Sequence, residues 1–194
     1  MTDTEAMHEA LSLAREAADE GEVPVGCIVT DGEHIVGRGR NRRETGKSAL
    51  AHAELEAIAE ACRTLGGWRL WRCTLYVTLE PCPMCAGAII NARIPRVVFG
   101  APDPKAGSCG SVTDLFALPY NHRPACEGGV LEEECAQLLR DFFRALRLAP
   151  GDADIRYNLD VANTFTKDKI AVVPEFFLKG WVRSVRMSLS LIHI

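Results

Sequence analysis

Apolar residues recur through residues 4–20 at Met7, Leu11, Ala14 and Ala18, the interval of an amphipathic helix. Val23–Thr30 and His34–Gly39 then read as strands, joined by Asp31-Gly32, a strong hairpin signal. The helical interval returns over Ala51–Leu65, with Leu55, Ile58, Ala61, Cys62 and Leu65 as its expected buried face. Cys73–Leu79 is rich in β-branched and aromatic residues and reads as a strand. Pro81 and Pro83 mark its end and permit a new helix, whose first turn tolerates a missing amide hydrogen. A strand over Arg96–Gly100 follows. Leu131–Arg147 is the last clear helix, with Phe142 and Phe143 as expected core anchors beside Leu138, Leu139 and Leu146. Strand alternating with helix late in the chain predicts parallel pairing there and helices on both faces of the sheet.

Two of these helices begin with residues that carry chemistry. His52 and Glu54 open the second helix; Cys82 and Cys85 open the third. One imidazole and two thiolates make three metal ligands, and a hydrolytic zinc centre keeps its fourth position open for water. Glu54, two residues from His52, points in another direction and is left to carry protons over that position. Cys82 and Cys85, three apart, share a helix face. The positive end of a helix favours their thiolate forms. Cys-x-x-Cys alone would also suit a redox pair, but that reading leaves His52 and Glu54 without a role.

Around these residues the chain resembles the cytidine and deoxycytidylate deaminase superfamily, most closely its bacterial tRNA-specific adenosine deaminases. The resemblance runs from about Met7 to Arg147. It takes in Glu22-Val23-Pro24-Val25-Gly26, Leu79–Ile89, Val98-Phe99-Gly100-Ala101, Asn121-His122-Arg123 and Phe142-Phe143. It implies an α/β fold of three layers, α/β/α, with a mixed five-stranded sheet and helices on both faces. It implies zinc held by His52, Cys82 and Cys85, with Glu54 shuttling protons. The implied reaction is hydrolytic deamination of adenosine to inosine at the wobble position of tRNA. An anticodon stem-loop would be the partner and a homodimer the working state. The resemblance points to Asn41, Asp103, Lys105, Asn121 and Arg147 as substrate-binding residues. Each has a plainer reading: a turn cap for Asn41 or Asn121, a polar loop for Asp103 and Lys105, a helix C-terminus for Arg147. A zinc deaminase of free guanine, cytosine or nucleosides is the alternative, and a non-catalytic zinc-stabilised RNA-binding subunit a third.

Composition changes the picture in three places. A chain of 194 residues, 47% hydrophobic and 25% charged, suits one globular domain with a substantial core. No apolar opening or long apolar run suggests a signal peptide or membrane span, and eight cysteines without a signal favour a reducing compartment. The cytoplasm is the expectation, with the six cysteines outside the metal set as small buried residues. The net charge of −4 is unusual for a nucleic-acid binder. Arg38, Arg40, Arg42, Arg43 and Lys47, just before His52, form a basic run that reads as a solvated loop or as a surface for RNA backbone.

The deaminase domain is expected over residues 1–148. Residues 149–194 form an atypical C-terminal tail outside the resemblance. Pro150-Gly151 breaks the last helix, six basic residues face five acidic ones, and Phe176-Phe177-Leu178 with Trp181 suggests a short amphipathic helix. An artefactual or disordered appendage and a genuine extension are both open readings.

Overall fold

The computed structural model describes residues 1–148; the expectations for residues 149–194 lie outside the described residues. Nine elements follow in order: α1 (Asp3–Asp19), β1 (Gly26–Asp31), β2 (His34–Arg40), α2 (Ala53–Leu65), β3 (Cys73–Leu79), α3 (Pro83–Ala92), β4 (Arg96–Ala101), β5 (Ala125–Gly128) and α4 (Glu132–Leu148). The strands form one sheet in the order β2-β1-β3-β4-β5. The hairpin and β1–β3 pairings are antiparallel, while β3–β4 and β4–β5 are parallel. The mixed five-stranded α/β/α sandwich is the fold that the resemblance implied.

Strand alternation divides the core. Cys27, Val29, Leu75, Val77, Val97 and Phe99 face α2 and α3. Ile28, Tyr76 and Val98 face the other way, where α1 and α4 pack with Met7, Leu11 and Cys135. Thr2 and Glu5 form a reciprocal capping box that starts α1: the Glu5 amide donates to the Thr2 hydroxyl at 3.2 Å and the Thr2 amide donates to the Glu5 carboxylate at 2.7 Å. Phe143 is buried as an anchor, while Phe142 is half-buried beside it with ring centroids 5.4 Å apart.

Three expectations need correction. The first strand begins at Gly26, not Val23, because the Val25 amide turns back to the Val23 carbonyl at 2.8 Å. In α2 the expected Ala61 is buried and Ile58 and Cys62 pack against the core, but Leu65 is exposed and the fully buried line runs through Ala53, Glu54, Ala57 and Ala61. Glycine causes this: a Cβ on Gly37 or Gly39 of β2 would overlap the carbonyl oxygens of Ala57 and Ala53. Helix and strand approach so closely that only small residues fit between them. Finally, burial holds for Cys27, Cys73 and Cys135, but Cys62 and Cys109 are half-buried and Cys126 is exposed. β5, which has no apolar alternation, is exposed along its whole length.

Candidate active site

The ligand set is assembled by two helix starts on the same side of the sheet. His52 is the N-cap of α2 and Cys82 the N-cap of α3, both with extended backbone and neither making a side-chain capping hydrogen bond. Their side chains are turned to each other instead. His52 Nδ1 lies 3.7 Å from Cys82 Sγ and 3.6 Å from Cys85 Sγ. The three ligand atoms all lie within 4.8 Å of one another and could hold a metal ion. Pro83 at the first position of α3 fixes the turn that separates the two sulfurs.

Electrostatics distinguish the four groups. A hydrogen bond from the Cys85 thiol, opposed by burial and aided by His52, brings Cys82 down to about 4. The same bond to Cys82 and then burial push Cys85 up. Hydrogen bonding to Cys82 raises His52, against the effect of its burial. Glu54, only 4% exposed, is pushed up to about 7, mainly by burial, with the Cys82 charge adding to it. The Cys85 thiol and the Glu54 carboxylate are close enough to shift each other, so the acid stands beside the ligand set.

Around this centre the structure arranges the remaining candidates unequally. Asn41 is buried, its side-chain amide donating to Glu22 Oε2 at 3.3 Å. Its neighbour Arg42 donates its backbone amide to the Ala51 carbonyl at 3.0 Å, which joins this loop to the start of α2. Asp103 is buried and caps the Lys105 and Ala106 amides at 2.9 and 3.3 Å. Burial raises its pKa, with Glu80 and Cys82 adding to the effect. Lys105 is exposed in the same loop. Asn121 is exposed, and its neighbour His122 anchors that segment by donating from Nε2 to the Ile94 carbonyl at 2.7 Å. Arg147 is exposed in the last turn of α4.

The basic run is split. Arg40 pairs with Glu20 at 2.6 Å and Glu16 at 3.5 Å, toward α1. Gly37 and Gly39 take the α2 face of β2, so the alternation carries Arg38 and Arg40 to the opposite face. Arg42, Arg43 and Lys47 remain exposed in the loop before His52.

Two buried carboxylates had been assigned no role from sequence. Glu22, fully buried, accepts from the Glu44 and Thr45 amides at 2.9 and 2.6 Å and from Asn41. Glu80 gathers the Asp103, Cys109 and Ser111 amides and the Ser111 hydroxyl. Each fixes one loop beside the ligand set. An acid at the end of an apolar strand, as in Leu79-Glu80-Pro81, was the available signal for the second.

A three-layer α/β/α sheet with a His-Cys-Cys cluster and an adjoining buried acid defines a deaminase-type hydrolytic site. The chain belongs to the MafB19-like deaminase family, whose profile matches residues 1–147. It is 50% identical over 142 residues to a tRNA-specific adenosine deaminase of Bacillus subtilis, covering 73% of this chain and 88% of that one. It is 52% identical over 149 residues to a tRNA(Ile)-lysidine synthase of Deinococcus radiodurans, of which it spans only 25%. Among solved structures, one from a study of A-to-I editing by tRNA:A34 deaminases superposes with a TM-score of 0.68 at 42% identity. That match covers 70% of this chain and 99% of the other.

Proposed function

We propose that the chain is a zinc-dependent deaminase that converts the wobble adenosine of tRNA to inosine. The observation that carries this reading is the His52, Cys82 and Cys85 triangle with buried Glu54 against it. The likeness to the Bacillus subtilis enzyme and to the A34 deaminase structure supports adenosine in tRNA as the substrate.

The ligand set fits zinc. Bonds of about 2.3 Å to sulfur and 2.0–2.1 Å to nitrogen, at tetrahedral angles, require N···S edges of about 3.5–3.6 Å. The observed edges are 3.6 and 3.7 Å. Two soft thiolates and an imidazole favour zinc over harder ions. A bound zinc supplies Lewis acidity, which makes water ionisable near neutral pH.

The chain's own residues do the rest. Glu54 is buried and held by the helix, so its carboxylate can take a proton from water and deliver it to the ring nitrogen. It then protonates the departing amine as ammonia. Asn41 and Asp103, fixed by Glu22 and Glu80, line the nucleotide groove with Lys105 and Asn121. Arg42, Arg43 and Lys47 meet the RNA backbone, with Arg147 contributing from the end of α4. The enzyme works as a homodimer on an anticodon stem-loop in the cytoplasm, and residues 1–148 form its catalytic domain. No helix among the described residues is long and apolar enough to cross a membrane.

The test is ammonia release on an anticodon stem-loop with wobble adenosine, set beside free adenosine, guanine and cytosine. Inosine in the stem-loop alone is the expected result. Turnover of a free base with an inert stem-loop would overturn the substrate while keeping the hydrolytic chemistry.

A further inference from the structure

Cys109 and Cys126 take no part in the ligand set, yet they meet. Cys109 is half-buried in the loop after β4, and Cys126 is exposed on β5; both are free thiols. Strand register explains the meeting. Cys126 stands opposite Val97 of β4. Its neighbour Glu127 points to the other face, where it pairs with Arg96 at 2.8 Å, and Arg96 holds Asp3 of α1. Cys126 therefore lies on the α2–α3 side of the sheet. Cys109 packs against the core on that same side. Its backbone is fixed there, with its amide on Glu80 Oε1 at 2.9 Å and a bridge to Asp114. The two thiols lie close enough for each to displace the other's ionisation.

We propose that Cys109 and Cys126 form a redox-modifiable dithiol, closed to a disulfide by low-molecular-weight disulfides such as oxidised glutathione. The neighbouring Cys109 thiol holds Cys126 below the ordinary thiol range, against burial and the charges of Asp114 and Glu80. The Cys126 neighbour, with burial, raises Cys109. Cys126 is thus the attacking thiolate and Cys109 the resolving thiol. The Cys126 sulfur attacks one sulfur of oxidised glutathione, breaking that S–S bond and releasing one glutathione thiolate. Cys109 then gives up its proton and attacks the Cys126 sulfur, releasing the second. Two electrons and two protons leave the protein, and two glutathione molecules carry them away. In a reducing compartment the product reverts once glutathione is restored. The closed ring encloses Asn121, His122 and Arg123. Buried Cys27, Cys73 and Cys135 are shielded from the same reagent.

The experiment treats the full-length, zinc-loaded protein with oxidised glutathione, quenches in acid, and reads intact mass and a non-reduced peptide map. A mass loss of about 2 Da, the two thiol hydrogens, with one peptide joining Cys109 to Cys126 is expected. Dithiothreitol should reverse it. Cys109→Ser should instead stop at a single glutathione adduct on Cys126, and Cys126→Ser should abolish the cross-link. The wild-type map needs no variant to fold. An unresolved adduct on the wild-type chain, a disulfide between other cysteines, or no reaction would each overturn the proposal.

Discussion

The Asp103 amide donates to Glu80 Oε2 at 3.0 Å, tying the loop after β4 to the residue that follows β3, two positions before Cys82. The Cys109 and Ser111 amides converge on the other carboxylate oxygen at 2.9 and 3.1 Å. Burial works to raise Glu80, but the Ser111 hydroxyl and these amides outweigh it and its pKa sits below the usual value. The carboxylate thus organises the loop through three backbone amides together with the Ser111 hydroxyl.

Replacing Glu80 by Ala should therefore destabilise the fold by about 3 kcal/mol, since several buried donors lose their acceptor together. Glu80→Gln should lose less, because one oxygen still accepts. Urea unfolding midpoints at unchanged slope would measure both.

Glu54→Gln should reduce turnover on the stem-loop by a factor on the order of 100 to 10,000 while leaving zinc content per chain unchanged. Metal analysis alongside the rate decides the matter. A variant that loses its zinc together with activity would make Glu54 a structural residue.

Gly39→Ala places a methyl group against the Ala53 carbonyl, in the first turn of α2 beside His52. The expected loss is about 1–3 kcal/mol from overpacking. Zinc affinity should weaken with it, because the helix start must move. Thermal unfolding and competition with a chelator would read the two effects separately.

Asp3 links stability to pH. Hydrogen bonding from Arg96 brings its pKa down to about 2 from 3.8, against the opposing effect of burial. A depressed folded-state pKa means stabilisation that is complete above about pH 4 and is lost as pH falls through about 2. Asp3→Asn should cost about 1 kcal/mol at pH 7, discounted because Asp3 and Arg96 are each about a third exposed. The gap between variant and wild type should close near pH 2 in paired urea titrations.

The helices, the hairpin and the ligand set were legible because each leaves a local mark: a period, an Asp-Gly turn, a Pro beside a Cys. The packing face of α2 was legible only in part: Ile58, Ala61 and Cys62 meet the core, but its centre through Ala53, Glu54 and Ala57 did not show. Its large apolar residues suggested the face, but the partner strand presents Gly37 and Gly39, and a partner's missing side chains leave no trace in the helix itself. β5 escaped for a different reason. Its four exposed residues show no alternation, and its pairing to β4 defines it. Glu22 and Glu80 were hidden because their partners are main-chain amides more than twenty residues away.

His52 and Cys82 each occupy the place where a helix ordinarily has a Ser, Thr, Asp or Asn to satisfy its first amides, a contribution of about 1 kcal/mol apiece. By turning inward they leave both helix openings incompletely tied, and an ion held there would be the fastener between two chain segments thirty residues apart. Occupancy and helix order would then be one variable. A chelator should fray α2 and α3 from their first turns, and resupplied metal should rewind both together.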